Sequence, residues 1–393
     1  MMRSLNLLLL VICIACGEDA NGTLDDVPTL SPGFTEIVEG NDGTNIASIT
    51  LNLDHTSSEE IIIDYSTSDG TALEGTDYLP QSGSITIPPG EQSVVIDIEI
   101  VADAHLELVE QFTLNIDNVT NAVSTTIPSI IKIIDDDAFQ VEEEEDGFVT
   151  PLSYSSMTLV WNDEFEGPSL DMNNWTFDIG DGCDQGICGW GNKELQVFSN
   201  DESNIFIEEG KLVIRATEPF PTTYQSARIN TKGKQQFQFG RIDIRAKLPK
   251  GQGLWPAMWM LGSNIDEVGW PRSGEIDIME LVGHVDNVVH GTAHYDAGGH
   301  QFEGSSKSLS SSETFGDKFH IYSIVWDQSG IEWYLDYKKY FRITPSDIGA
   351  TYPFDNPFYF IFNVSVGGEW PGRPDETTTF PQDMIVDYVR IFR

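Results

Sequence analysis

Three acidic residues lie close together in a short segment that otherwise carries apolar side chains, with the sequence GEIDIME. On a β-strand successive side chains point to opposite faces, so Glu275 and Asp277 share one face and the intervening isoleucine faces the other way. Strict alternation puts Glu280 on the wrong face, and a β-bulge near Met279 would return it to the face of the other two acids. Two carboxyls held about 5 to 5.5 Å apart suit the retaining cleavage of a glycosidic bond.

The spacing of these acids suggests a separate role for each. Glu275 is the candidate nucleophile and Glu280 the candidate acid/base, while Asp277 between them would hydrogen-bond Glu275 and share a proton with its neighbours. The alternative is a solvated acidic face of a strand, since the chain holds 63 Asp and Glu residues against 21 Lys and Arg.

The composition limits the possible partners. A chain of 393 residues is long enough for two or three domains. Its formal net charge of −42 argues against nucleic acids and anionic membranes, because binding phosphates requires clustered Lys and Arg. We therefore expect a neutral or cationic partner.

All nine Trp lie at or beyond Trp161. This distribution is typical of a sugar-stacking cleft in the C-terminal part, but also of a buried core.

The N-terminus has the pattern of an export signal. Residues 1–16 hold Arg3 and then an apolar run that is too short to span a bilayer. The end of this run resembles the lipobox of bacterial lipoproteins, with Cys16 as the lipidated residue and residues 17–35 as a polar tether. We expect an exported lipoprotein that is anchored to the membrane at the cell envelope or surface only through its N-terminal lipid; ordinary cleavage and secretion is the alternative.

Residues 36–137 show short alternating strands separated by turn residues, which predicts a sandwich of about seven strands. The segments VEGNDG, DGTALEGTDY, LELVEQF and IIDDD resemble the Calx-beta domain in order and spacing. That resemblance implies either a plain structural sandwich or one that binds Ca²⁺ at one end. The acids available for binding are Glu39, Asp69, Asp103, Glu107 and Asp135 to Asp137.

Residues 138–156 hold four consecutive Glu followed by Gly and Pro, which predicts an extended acidic linker.

In residues 157–393 apolar and polar side chains again alternate, as in the strand that contains Ile242 and Ile244. A hairpin is predicted from His320 to Arg342, with its turn at DQSG. The expected fold class is all-β, with an antiparallel two-sheet sandwich following an immunoglobulin-like one.

Eight sequence blocks in residues 157–393 resemble glycoside hydrolase family 16, and specifically its laminarinase-like branch. In order they are LVWNDEFEG from Leu159, CGWGNKELQVF from Cys188, SARINTKGK from Ser226, KGQGLWPAMWML from Lys250, SGEIDIMELVG from Ser273, GTAHY from Gly291, VGGEWPG from Val366 and VDYVRIF from Val386. The resemblance implies a jelly roll with a concave binding face and endo-hydrolysis of β-1,3-glucan with net retention.

The resemblance also implies a set of substrate-binding residues: Asn192, Arg228, Trp255, Trp259, His294 and Trp370. The amide and the guanidinium would bind sugar hydroxyls, the indoles would stack on pyranose rings, and the imidazole would lie beside the acids. Each of these side chains could instead be structural, the tryptophans as core residues and the polar ones as ordinary strand positions.

Two further sites complete the sequence-based predictions. Glu164, Gly210 and Asp387 match family positions that bind a structural Ca²⁺, although Asp387 could equally be an acid at a strand edge. Cys183 and Cys188 flank a short loop and are close enough for a disulfide in an oxidising compartment; a metal site would need more ligands nearby.

Alternative activities remain open at the level of the sequence. A mixed-linkage β-1,3-1,4-glucan is a second candidate substrate, and related galactan hydrolases act on agar, porphyran or carrageenan. Sulfated galactans need basic residues in the cleft, and the blocks above carry few. A non-catalytic glucan-binding protein is the third alternative, but such proteins usually lose one of the acids that this chain keeps. We expect a monomer that binds a neutral β-glucan.

Overall fold

The structure, a computed structural model, describes residues 27–103, 107, 109–125, 128–136, 142–154, 157–349 and 351–393. Their regular secondary structure is almost entirely β-strand, in two sandwiches with separate hydrophobic cores. The all-β prediction is therefore confirmed. The predicted export signal with Cys16 lies outside the described residues and stays a prediction. In the described part of the chain, no helix is long and apolar enough to cross a membrane.

The N-terminal sandwich contains nine strands in two sheets. They are β1 (Thr29–Pro32), β2 (Thr35–Val38), β3 (Gly43–Leu53), β4 (Ile61–Ser68), β5 (Ser82–Ile87), β6 (Ser93–Ala102), β7 (Glu110–Thr120), β8 (Val123–Ser124) and β9 (Ser129–Ile134). One sheet has the order β6-β3-β1-β8 and the other β2-β9-β7-β4-β5. Alternating apolar residues from both sheets meet in the core, as in β6, where every second side chain is buried.

The last part of the predicted tether belongs to this sandwich. Strand β1 pairs with β3 and β8, and Leu30 is fully buried in the core. Burial of an apolar side chain together with main-chain pairing outweighs the turn-rich composition that suggested a flexible segment. The ordered sandwich thus begins before residue 36, and two short strands bring the count to nine instead of about seven.

The prediction of an extended linker at 138–156 is wrong for its described part, residues 142–154. Strands β10 (Glu142–Glu144) and β11 (Gly147–Val149) form a hairpin that packs against the C-terminal sandwich. Asp146 accepts a charge-assisted hydrogen bond from Arg245 at 2.7 Å, and the backbone carbonyl of Phe148 accepts another at 2.6 Å. The acidic segment is ordered because it neutralises a guanidinium that is buried in the other sandwich.

The C-terminal sandwich contains seventeen strands and little helix. The first eight strands are β12 (Leu159–Asp163), β13 (Thr176–Asp178), β14 (Gln196–Phe198), β15 (Ile205–Glu208), β16 (Lys211–Phe220), β17 (Thr223–Ser226), β18 (Arg228–Asn230) and β19 (Gly240–Lys247). The remaining nine are β20 (Leu254–Gly262), β21 (Glu275–Glu280), β22 (Val288–Asp296), β23 (His300–Ser308), β24 (His320–Asp327), β25 (Gly330–Leu335), β26 (Lys338–Ile343), β27 (Phe358–Val366) and β28 (Gln382–Phe392). Two single-turn helices, α1 (Ile265–Val268) and α2 (Pro345–Ile348), lie in connections.

These strands form a ten-stranded sheet and a seven-stranded sheet that enclose one apolar core, the predicted jelly-roll sandwich. The seven-stranded sheet has the order β13-β18-β27-β20-β21-β22-β23, which places the acidic strand β21 beside its tryptophan-bearing neighbour β20. The predicted hairpin at His320 to Arg342 is a three-stranded meander instead, because a second turn at Asp336 and Tyr337 separates β25 from β26.

Candidate active site

The three acids lie on β21, near the middle of the seven-stranded sheet, between β20 and β22. Asp277 pairs with Thr292 and Glu280 with His290, so two residues of β21 face one residue of β22. The register with β20 shifts at the same place. This is the β-bulge predicted from the spacing of the acids, and it allows side chains five positions apart to line one cavity.

Two neighbours support the backbone at the bulge. The indole nitrogen of Trp333 donates a hydrogen bond to the main-chain carbonyl of Asp277 at 2.8 Å from the core side of the sheet. Gly291 lies opposite the bulge, where a Cβ atom would come within 2.4 Å of the Trp333 ring. A glycine is therefore required at this position for the indole to reach the catalytic strand.

Burial and mutual repulsion hold protons on the acids. Burial, and then the charge of Asp277, raises the pKa of Glu275 to about 8. Burial likewise raises the pKa of Asp277 to about 8, although a hydrogen bond from Glu275 opposes the shift. The pKa of Glu280 is raised well above its usual range by burial and then by Asp277. The three carboxyls therefore share protons near neutral pH, as one ionised nucleophile and one protonated acid require.

Two tryptophans and one histidine orient the acids. The Nε1 atom of Trp270 donates to Oε2 of Glu275 at 2.9 Å, and that of Trp255 donates to Oε1 of Glu280 at 3.0 Å. Each donor stabilises the ionised form of its carboxyl and lowers its pKa. His294 lies beside the acids as predicted, with Nε2 at 3.1 Å from Oδ2 of Asp277.

A cavity of about 360 Å³ opens on one side of the acids. Seven of its lining residues were predicted from the sequence: the three acids, Asn192, Arg228, Trp255 and Trp259. The Arg228 guanidinium lies over the rings of Trp190 and Trp259, at 4.6 and 5.0 Å from their centroids, and pairs with Asp178 at 2.9 Å. Flat indoles and a fixed guanidinium are suited to stack on and hydrogen-bond a sugar ring.

The polar wall of this cavity depends on Glu194, which was not predicted from the sequence. Glu194 accepts hydrogen bonds from Asn192 at 3.1 Å and from Ser365 at 2.8 Å. Ser365 in turn accepts from Asn363, whose carbonyl oxygen receives the indole N–H of Trp259. The network fixes the predicted binding side chains in place, and no local motif in the sequence marks it because its members are up to 171 positions apart.

On the other side of the acids the cleft is open and aromatic. Glu275, His294 and Phe302 are directly opposite one another on β21, β22 and β23. His300 packs against Trp270 at a centroid distance of 4.4 Å, and Phe302 is 63% exposed. Of these residues only Glu275 and His294 were predicted from the sequence, although Trp270 lies just five residues before the first acid.

The predicted residue Trp370 lies near the third acid. Its ring packs edge-on against Trp255 at 5.5 Å and against His290 at 5.0 Å, and it is 43% exposed.

The loop before Asn192 contains Cys183 and Cys188, which are joined by a disulfide. This covalent link closes the loop whose following residues, Trp190 and Asn192, form one wall of the cavity.

The three residues predicted to bind structural Ca²⁺ lie together, far from the acids in the fold. Glu164, Gly210 and Asp387 all line a cavity of about 440 Å³ on the ten-stranded sheet. Glutamates 166 and 209 line it as well, so oxygen ligands are available in the number that Ca²⁺ prefers.

Cations of the protein already neutralise both predicted carboxylate ligands. Arg390 binds the two oxygens of Glu164, at 2.9 and 2.8 Å. Asp387 pairs with Arg245 at 2.7 Å through one oxygen and with Lys211 at 3.4 Å through the other. The residues fit Ca²⁺ by the number of oxygens, and three cations compete for two of these ligands, with Lys211 making the longest contact.

Acids also meet at one end of the N-terminal sandwich. Carboxylate oxygens of Asp77, Glu107 and Glu110 lie within 4.8 Å of one another, and burial raises the pKa of Glu110 to about 9. Of the predicted ligands only Glu107 belongs to this group; Asp69 accepts a hydrogen bond from a tyrosine hydroxyl, and Asp137 lies outside the described residues. Binding of Ca²⁺ here stays a prediction.

Comparison with known proteins agrees with this site and with the two-part architecture. Residues 33–137 match the Calx-beta domain. The chain is 38% identical over 281 residues to glucan endo-1,3-beta-glucosidase A1 of Niallia circulans, covering 64% of this chain but only 41% of that protein. It is 40% identical over 251 residues to a beta-glucanase of Rhodothermus marinus, covering 60% of this chain and 85% of that one.

A solved structure is also similar to this chain. The laminarinase catalytic domain of Thermotoga maritima superposes with a TM-score of 0.57 and 46% identity, over 60% of this chain and 98% of that domain. Residues 187–390, more than half of the chain, match the family described as Glycosyl hydrolases family 16. The bulged acidic strand, its tryptophan-lined cavity and these matches lead to one conclusion: the chain belongs to glycosyl hydrolases family 16.

Proposed function

We propose that the protein is an endo-acting glycoside hydrolase that cleaves β-1,3-glucan such as laminarin with net retention. The observation that carries the proposal is the arrangement on β21, where three acids with raised pKa values lie at the edge of a tryptophan-lined cavity. Among the proteins similar to this chain are a glucan endo-1,3-beta-glucosidase and a laminarinase, which favours this substrate class.

The geometry supports a separate role for each acid. Glu275 attacks the anomeric carbon through Oε1, because Trp270 holds Oε2, while Glu280 gives its proton to the leaving oxygen. Glu280 then takes a proton from water as the water oxygen attacks the anomeric carbon, and the bond between that carbon and Glu275 breaks. Asp277 hydrogen-bonds Glu275 and lies against His294, so it sets how protons are distributed between the two glutamates.

The charge of the cleft favours a neutral substrate. Arg228 is the cationic side chain that lines the cavity, and it is already paired with Asp178. A sulfated galactan would bring further anionic groups beside Glu194 and the three acids without enough basic residues to neutralise them. Mixed-linkage β-1,3-1,4-glucan remains a second candidate, because an endo-1,3-1,4-beta-glycanase of Rhizobium meliloti is also similar to this chain.

A reducing-sugar assay on laminarin, lichenan, agarose and carrageenan, with sizing of the products over time, tests the proposal. We expect laminarin to release short oligosaccharides at once, with less or no release from the galactans. Activity on a galactan alone would contradict the proposed substrate while keeping the roles of the acids. Binding of laminarin without hydrolysis of any of the four polymers would point to a binding protein instead.

Loss of the two tryptophan donors is expected to move different limbs of the pH profile, both to higher pH. Replacing Trp270 by Phe removes a hydrogen bond that lowers the pKa of Glu275, so the nucleophile ionises at higher pH and the acidic limb of kcat/KM moves to higher pH. Replacing Trp255 by Phe raises the pKa of Glu280 in the same way, and there the alkaline limb moves to higher pH. Profiles on laminarin check both shifts; movement of the same limb in both variants would contradict the role assignment.

The aromatic row beyond Glu275 is suited to bind sugar units on the far side of the cleaved bond from the cavity. Replacing Phe302 by Ala should raise KM for laminarin about three- to tenfold and change the product sizes, because one stacking surface is lost. Phe220, which is 71% exposed on β16 of the other sheet, gives a matched control. Equal effects of the two alanine variants would contradict a binding role for Phe302.

We also propose that Ca²⁺ binds between Glu164, Gly210 and Asp387 and stabilises the fold without taking part in the chemistry. Added Ca²⁺ should then raise the Tm of the wild-type protein. Replacing Lys211 by Met removes the ammonium that competes for Asp387, so the Ca²⁺-dependent gain in Tm should increase. Calorimetry with and without Ca²⁺ measures this; an unchanged gain in the Lys211 variant would assign the stabilisation to another site.

A further inference from the structure

One histidine and two carboxylates in the cleft meet in a geometry that suits a metal ion as well as catalysis. Nε2 of His294 lies 3.1 Å from Oδ2 of Asp277 and 3.8 Å from Oε1 of Glu275. Single ligand atoms of these three residues all lie within 4.8 Å of one another. Glu280 is not part of this group.

The neighbouring side chains orient one ligand atom of each residue into the group. Trp270 occupies Oε2 of Glu275 but not Oε1. Asp277 is only 3% exposed, and its Oδ2, which faces His294, accepts no hydrogen bond within the described part of the chain. Nδ1 of His294 lies 2.8 Å from Nε2 of His300, and in the tautomer in which Nδ1 donates to His300, Nε2 carries the electron pair that binds a metal.

The distances between the ligand atoms match those around a small divalent transition metal. Zn²⁺ binds imidazole nitrogen at about 2.0–2.1 Å and carboxylate oxygen at about 2.0–2.2 Å, so tetrahedral ligand atoms are about 3.3 to 3.5 Å apart. The two measured separations of 3.1 and 3.8 Å bracket that value. Three protein ligands leave the fourth position of the metal open toward the cleft.

We propose that Glu275, Asp277 and His294 form a binding site for Zn²⁺ and chemically similar divalent transition metals. His300 acts as its outer partner by holding the tautomer of His294. Because the site uses the carboxylate that we assign as the nucleophile, a bound metal blocks hydrolysis and competes with the polysaccharide. Hard cations such as Ca²⁺ and Mg²⁺ prefer all-oxygen sites and bind here more weakly. The competition rests on the proposed function, whereas metal binding itself does not.

Metal binding can be measured without any turnover. The Glu280→Gln variant of the full chain removes the proposed acid/base but keeps all three ligands, so titration with Co²⁺ reports the site through the visible d–d absorption of the bound ion. We expect one site per chain to show this absorption, and Zn²⁺ to abolish it by displacement. In the same background His294→Gln should weaken Co²⁺ binding at least about tenfold.

His290 supplies the matched control. It lies on the same strand and packs against Trp370, away from the ligand group, so His290→Gln in the same background should bind Co²⁺ unchanged. Equal losses in the two histidine variants, or no difference between His294→Gln and its parent, would overturn the proposal. In the active protein we expect Zn²⁺ to inhibit hydrolysis in competition with laminarin. If laminarin is not hydrolysed at all, the Co²⁺ titration still decides whether the metal site exists.

Discussion

Replacing Glu275 by glutamine is expected to lower kcat on laminarin by at least about 10⁴-fold, the scale seen when an enzyme loses its nucleophile. An amide cannot attack the anomeric carbon, yet it has nearly the same volume and can still accept the hydrogen bond from Trp270 through its carbonyl oxygen. Binding of laminarin oligosaccharides should therefore persist. Initial rates and calorimetric titration of the variant measure the two quantities separately.

The same substitution should stabilise the protein in a pH-dependent way. The pKa of Glu275 is about 8 in the folded state against an ordinary value of 4.5, so between these values the folded state binds more protons than the unfolded state. The free energy of unfolding then falls as pH rises through this window, because ionising the buried carboxyl costs energy. Glu275→Gln removes that cost, and its Tm should exceed that of the wild type by more at pH 9 than at pH 5.

Glu267 gives a control for these measurements. It is an exposed acid on α1, near the cleft but outside the group on β21, so Glu267→Gln should change neither rate nor Tm appreciably. Full activity of Glu275→Gln would overturn the assignment of the nucleophile. A Tm gain that is the same at both pH values would contradict the raised pKa.

The bulge was predictable from the sequence because only local chain geometry is needed to see it. Side chains on a strand alternate with a period of two, so an acid five positions from Glu275 can share its face only if one residue is added. The same local reasoning identified the alternating strands of both sandwiches. The hydrogen-bond donors to the acids were less accessible, since Trp270 reaches Glu275 from a connecting loop whose path no periodicity predicts.

Long-range charge pairing explains the largest error of the sequence-based predictions. Consecutive glutamates before residue 146 repel one another in isolation, which favours an extended linker. The structure instead brings Asp146 to Arg245, 99 positions away, and the carbonyl of Thr150 to Arg390, 240 positions away. Both guanidiniums are buried and need acceptors, and that need is visible only after the ten-stranded sheet has been assembled.

Replacing Glu280 by alanine is expected to have the second large effect, and one that depends on the leaving group. Loss of general acid assistance should lower kcat on laminarin about 10³-fold or more, because the departing sugar oxygen needs a proton. An aryl laminaribioside with a dinitrophenolate leaving group needs no such proton, so its first bond cleavage should stay fast. Without a base to activate water, the glycosyl-enzyme should accumulate and appear as a burst of dinitrophenolate.

Azide separates the roles of the two glutamates by the configuration of the product. In Glu280→Ala, azide can attack the glycosyl-enzyme formed on Glu275, so two inversions give the β-glycosyl azide and restore turnover. In Glu275→Ala, azide replaces the missing nucleophile in a single inversion and gives the α-glycosyl azide. Proton NMR of the anomeric signals distinguishes the two products. The opposite pairing of variants and anomers would exchange the roles of Glu275 and Glu280, because the configuration depends only on which carboxylate forms the covalent bond.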